Sequence, residues 1–301
     1  MDRREFVTVV KATAREFVKD DVGYLAAAVT YYAFFSLFPA ILLGVTIAGQ
    51  FVDPGEAYGF IANEVVRVAP SLSEFLNDTY DDVVIKRDIA GWSTLFSSAV
   101  LFFTATGAFD AIDKAINRAW NSEKVPSIFA AKLASFVMIV TVGGLMVVSL
   151  VVSLSLGAAR EFSGRLFGEV PEILFVWGLI SFAASISLVF LGFLLLYRFV
   201  PRCNVGVKDV WRAALAAACI WSLAKEGFAL FLGSTFANYS AVYGTIGAIV
   251  AILTWIYVSV IIILTGAEFA AETARVRDMR EKVQRAALAE KEPSRSPWFS
   301  S

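Results

Sequence analysis

Histidine is absent from this 301-residue chain, and cysteine occurs only at Cys203 and Cys219. The first absence removes the commonest general base and the commonest metal ligand. The second leaves too few thiols for a Cys-based zinc site or a disulfide framework. Charge is also scarce: 18% of residues are Asp, Glu, Lys or Arg, against about 25% in soluble domains. Twenty-six Lys and Arg stand against 27 Asp and Glu, a net charge of −1. No cationic excess is available to neutralise a phosphate backbone, so nucleic acid is not expected as a partner. Apolar residues fill the space, 58% of the chain with a mean hydropathy of +0.68, which is the composition of a protein that lives in lipid.

Uncharged runs cover 22–52, 89–109, 133–159, 173–197, 213–224 and 227–267, and every charge lies in the remainder. Amphipathic elements of a soluble core would mix polar and apolar positions at period 2 or 3.6 instead. A transmembrane helix needs roughly 17–25 apolar residues, so each of the first four runs supplies one crossing. The last run is twice that length and is interrupted by Gly233-Ser234-Thr235-Phe236-Ala237-Asn238-Tyr239-Ser240, a stretch suited to an exposed connection. The fifth helix then runs from Trp211 to about Leu232 with Lys225 and Glu226 inside it. The expected fold is an all-α integral membrane protein, a six-transmembrane-helix bundle spanning about 24–50, 89–110, 133–159, 173–197, 211–232 and 243–271.

Lys and Arg set the orientation. The N-terminal segment, the second and fourth connections and the tail hold 20 of them, the opposite side holds five. The positive-inside rule places both termini in the cytoplasm of a prokaryotic inner or plasma membrane. Residues 3–20 carry Phe6, Val9, Val10, Thr13 and Phe17 at helical spacing, an interfacial helix for which packing against the bundle is preferred over specific lipid binding. The N-terminus has no cleavable signal pattern, so the first span is expected to stay in the mature chain. Residues 53–88 form the one sizeable extracytoplasmic segment, a short helical stretch with Ser71 and Glu74 as a capping box. Its acids Asp78, Asp81, Asp82 and Asp88 read better as a solvated face than as a cation site. A membrane domain over 1–275 and a charged cytoplasmic tail over 276–301, disordered after Pro293, complete the organisation.

Charge inside a span costs at least about 2.5–3.5 kcal/mol at the helix centre, so each such residue is a functional candidate. Lys225 and Glu226 point about 100° apart and cannot form the usual i, i+4 pair, so each is expected to need its own partner or a path to water. Both are substrate-pathway candidates, weighed against snorkelling of Lys225. Glu268, near the cytoplasmic end of the last span, is within expected reach of Arg198 or Arg202, and a structural ion pair there is preferred over substrate contact. Asp110, Asp113 and Asn117 recur at i, i+3 and i+7, one polar face that binds a substrate or, more commonly, pairs with Arg118 or Arg202. Pro39 predicts a kink near Phe35–Pro39. Gly244 and Gly247 open the last span with close backbone approach. Small residues at spacing four, Ser149, Ser153 and Gly157, Ser181 and Ser185, and Ala213 and Ala217, mark expected helix contacts.

The segment Tyr31-Tyr32-Ala33-Phe34-Phe35-Ser36-Leu37-Phe38-Pro39 resembles the first-span signature of the YihY/BrkB family of prokaryotic multi-pass membrane proteins. Four later segments resemble it too: 107–120 (Gly107 to Trp120), Tyr197-Arg198-Phe199-Val200-Pro201, Tyr243-Gly244-Thr245-Ile246-Gly247-Ala248, and Gly266-Ala267-Glu268. Their order covers about residues 10–275. The resemblance implies six helices in the cytoplasmic membrane. Members carry labels of ribonuclease BN, envelope-integrity factor and transporter, so it implies a location rather than one chemistry.

The function expected is that of a transporter or flippase-like protein linked to envelope integrity, acting on a lipid or amphiphile, with membrane lipids as partners and a homo-oligomer allowed by the small-residue faces. A non-catalytic envelope scaffold using 53–88 is the alternative. A ribonuclease is the weakest reading, because a hydrolytic site needs clustered carboxylates or His and an electropositive channel. No catalytic residue, metal or cofactor is expected.

Overall fold

A computed structural model describes residues 3–48, 55, 58–59, 62, 90–122, 144, 148, 151–152, 155–164, 171–203, 205–232 and 237–291. Every regular element in them is helical: α1 (Arg3–Lys19), α2 (Val22–Ala48), α3 (Ala90–Ala119), α4 (Pro171–Phe199), α5 (Val207–Phe231) and α6 (Ala237–Lys291). Most of the expected third span, the segment 53–88 with its capping box and acids, and the tail beyond Pro293 lie outside the described residues. Among the described residues three helical stretches are long and apolar enough to cross a bilayer, Phe175–Phe199, Val207–Phe231 and Ile249–Leu288, and Val22–Ser36 is a shorter apolar helix. At 1.5 Å per residue the 55 residues of α6 extend about 80 Å, far beyond a hydrocarbon core of about 30 Å. The charged half of α6 must therefore stand clear of the lipid.

Small side chains set the packing. Ala213, Ala214, Ala217 and Ala218 form the buried face of α5, which lies between α4 and α6. In lipid, close approach of this kind replaces hydrophobic burial as the source of helix association. At Gly266 of α6 a Cβ would collide with Tyr197 Oη, and would stand 2.9 Å from Tyr197 Cζ and 3.2 Å from Ala217 Cβ. Tyr197 is fully buried, and its hydroxyl donates to the carbonyl of Ile263 at 2.8 Å. Between α2 and α3 a Cβ at Gly107 would stand 2.6 Å from the ring of Tyr32. The expected contact at Ala213 and Ala217 is present, whereas Ser181 and Ser185 are exposed among the described residues. The reason is rotational: α4 turns Phe193 and Tyr197 inward, at one end of the helix. The helix α2 runs unbroken through Pro39.

Two corners close this end. Asp21, at φ 53°, reverses the chain between α1 and α2, and its carbonyl accepts from the amides of Tyr24 and Leu25. Asn121, at φ 47°, ends α3: Ser122 N donates to Asn117 O at 3.0 Å and Asn121 N to Arg118 O at 2.9 Å. That is the Schellman arrangement, and Asn and Asp tolerate the left-handed conformation it needs better than most residues. The helix α5 begins at Val207, one turn before the apolar run, because Asp209 reaches back to accept from the Gly206 amide at 3.1 Å. On α1, Val9 and Thr13 are buried against α6, and Phe6 meets Phe269 edge-on at 6.3 Å.

Gly266→Ala is expected to lower stability in detergent by about 1–3 kcal/mol, since the buried Tyr197 ring has nowhere to move. Gly227→Ala, with nothing within 4 Å of its added methyl, is expected to be neutral or mildly stabilising. Thermal unfolding of the two variants checks this, and equal midpoints would contradict the packing described.

Candidate functional site

The α1–α2 corner, the end of α3, the α4–α5 turn and the middle of α6 meet at the Arg-rich end of the bundle, and most of the buried polar side chains are there. Asn117 is the hub of one half and is 4% exposed. Its Nδ2 donates to Asp113 O at 2.8 Å, Asp113 Oδ1 at 3.0 Å and Val200 O at 3.3 Å, and its Oδ1 accepts from the Arg202 amide at 2.8 Å. The Arg202 guanidinium pairs with Asp113 Oδ2. Burial pushes the Asp113 carboxyl above the usual aspartate range, Arg202 opposes that push, and Asp110, one turn away, adds to it. Arg198 donates to Val205 O across the turn. The polar stripe expected on this helix thus clamps α3 to the α4–α5 turn through Arg202.

The other half is acidic. Glu268 is 2% exposed, and Asp20 and Glu272 are buried beside it. Asp20, Arg275 and Glu16 are close enough to act on Glu268 electrostatically. Arg118 Nε contacts Asp20 Oδ1 at 3.3 Å. Arg275 pairs with Glu272 and donates to Ala119 O at 2.6 Å. Glu16 is committed to Lys19 at 2.6 Å, which holds its carboxyl below the usual range. Three buried carboxyls therefore face two guanidiniums, and Glu268 Oε2 is buried with no hydrogen-bond partner. A buried carboxylate oxygen without a partner is costly unless it carries or exchanges a proton. The indole N–H of Trp120, next to Ala119, is likewise buried without a partner.

Two expectations are corrected. Glu268 has Asp20 and Arg275 as charged neighbours rather than Arg198 or Arg202, because those two arginines are engaged in the turn. Lys225 and Glu226 need no separate partners: Lys225 Nζ lies 3.4 Å from Glu226 Oε1, with the side chains 47% and 68% exposed. The four-carbon lysine stem spans the angular gap between adjacent positions. Gly247 is buried near the start of α6, whereas the surroundings of Gly244 and the Pro39 side chain lie outside the described residues. Asp20, Glu272 and Arg275 are the functional candidates the sequence did not single out. Their signal was position: Asp20 ends the charged segment before an apolar run, and Glu268, Glu272 and Arg275 recur at i, i+4 and i+7. Among the described residues no group of three or more Cys, Asp or Glu is arranged to hold a metal ion.

A family model described as virulence factor BrkB matches residues 13–291. A protein of Aeromonas salmonicida (strain A449) named UPF0761 membrane protein is 34% identical over 202 residues, 66% of this chain and 65% of that protein. Another UPF0761 membrane protein, from Pseudoalteromonas translucida (strain TAC 125), is 31% identical over 83% of this chain and 79% of its own length. A protein of Bacillus subtilis (strain 168) named as ribonuclease-like, YfkH, is 28% identical over 81% of this chain and 86% of its length. No solved structure matches.

Asn117→Ala is expected to cost about 1–3 kcal/mol, because it strips partners from Val200 O and the Arg202 amide together. Thermal unfolding measures the loss, and a wild-type midpoint would show that the clamp contributes nothing.

Proposed function

As the chain belongs to the BrkB family of membrane proteins, we propose that it is a six-span protein of the prokaryotic cytoplasmic membrane that moves a lipid or amphiphile between leaflets, with both termini in the cytoplasm. The 20-to-five bias of Lys and Arg supports this orientation. An envelope-integrity role would follow from such lipid movement.

The observation that carries the reading is the buried, unpartnered Glu268 Oε2, in the electrostatic neighbourhood of the buried Asp20. A buried carboxyl oxygen without a partner costs least when its group carries a proton. Asp20 belongs to the α1–α2 corner and Glu268 to α6, so loss of a proton from Glu268 sets like charges between two packed elements. Arg118, on α3, and Arg275, on α6, are positioned to receive the carboxylates in a rearranged state. Protonation and helix packing are then coupled at one place, which is what a proton-linked transporter needs. The Lys225–Glu226 pair is given no part in this step.

A ribonuclease reading, drawn from the name of the Bacillus relative, finds little chemistry to stand on. The chain has no His, its net charge is −1, and its described carboxyls form no metal-holding group.

The test is reconstitution of the full chain into vesicles containing a fluorescent phospholipid, with and without an imposed pH gradient. Wild type is expected to move the label in a gradient-dependent way, and folded Glu268→Gln to fall to the rate of protein-free vesicles. Wild-type movement by Glu268→Gln would overturn the role of Glu268, and no movement by wild type would overturn the phospholipid cargo.

A further inference from the structure

A separate cavity of about 120 Å³ opens at the same end of the bundle, between α1, the first turns of α5 and the charged half of α6. Lys208, Arg212, Arg277 and Arg280 line it, with Glu5 and Asp209 as its only acids. The acids are engaged: Asp209, buried, pairs with Arg277, and Glu5 lies 3.2 Å from Arg280. Lys208 and Arg212 make no ion pair among the described residues, and the cavity keeps two positive charges. They stand at i and i+4 on one face of α5, so both reach the same opening.

We infer that this cavity binds the phosphate of an anionic lipid headgroup at the bilayer interface. Three observations favour a lipid over a soluble anion. Arg212 immediately precedes the apolar run of α5, which places the two cations at the depth where hydrocarbon ends. Arg212 lies over the ring of Trp211 at 5.3 Å, and Trp211 is 41% exposed, the side-chain type that settles at the headgroup level. The neighbouring helix α1 leaves Phe6, Val7 and Val10 exposed beside the cavity lining of Glu5 and Val9, an apolar surface for acyl chains. The phosphate oxygens accept from Lys208 Nζ and the Arg212 guanidinium while Arg277 and Arg280 keep their carboxylate partners. This site stands apart from the Asp20–Glu268 pocket and does not depend on the transport reading.

The experiment measures thermal unfolding of the full chain in neutral detergent with added phosphatidylglycerol, phosphatidylcholine or inorganic phosphate, for wild type and Lys208→Gln/Arg212→Gln. Both substituted side chains are exposed, so the variant is expected to fold. Phosphatidylglycerol should raise the wild-type midpoint, phosphatidylcholine should not, and the variant should need roughly tenfold more phosphatidylglycerol for the same shift. Equal responses of wild type and variant, or equal responses to the two lipids, would overturn the site. An equal shift from inorganic phosphate would overturn the lipid assignment and leave a soluble-anion site.

Discussion

The arrangement of this bundle depends on one close contact, where the backbone of α6 at Gly266 meets the buried ring of Tyr197 and the methyl of Ala217. Three helices converge there, and only a residue without Cβ lets them do so. The Tyr197 hydroxyl then bonds the Ile263 carbonyl of the same helix, so α4 is fixed to α6 both sterically and by a hydrogen bond. Lipid offers no gain for burying apolar surface, which makes such steric fits and internal polar contacts the terms that define the packed state.

Glu268 follows two residues later. On α6, which packs against α1 and α2, the Glu268 side chain is buried rather than turned to solvent. Several of the other polar side chains at this end are committed. Asn117 and Arg202 close the α4–α5 turn, Arg277 holds Asp209, and Arg275 holds Glu272 and the end of α3. Against that background Glu268 Oε2, like the Trp120 N–H, is buried without a partner.

The sequence made the helical membrane class readable, because segregation of charge from apolar runs survives any detail of packing. It also showed the polar stripe of Asp113 and Asn117, whose i, i+4 spacing needs only helix geometry. The Glu268 neighbourhood was not readable, since Asp20 lies 248 positions away and appeared only as a boundary charge. Spacing along one helix likewise implied separate partners for Lys225 and Glu226, where a flexible lysine stem pairs them directly. The cavity lined by Lys208, Arg212, Arg277 and Arg280 required α5 and α6 to be brought side by side, which no local pattern specifies.

The proposed proton on Glu268, coupled to the packing of α6 against the α1–α2 corner, is tested most directly by infrared difference spectroscopy of the full chain in lipid vesicles. Titration should reveal a protonated-carboxyl band that Glu268→Gln removes and Asp20→Asn shifts. A band unchanged by Glu268→Gln would mean that Glu268 carries no such proton, and would contradict the proposed coupling.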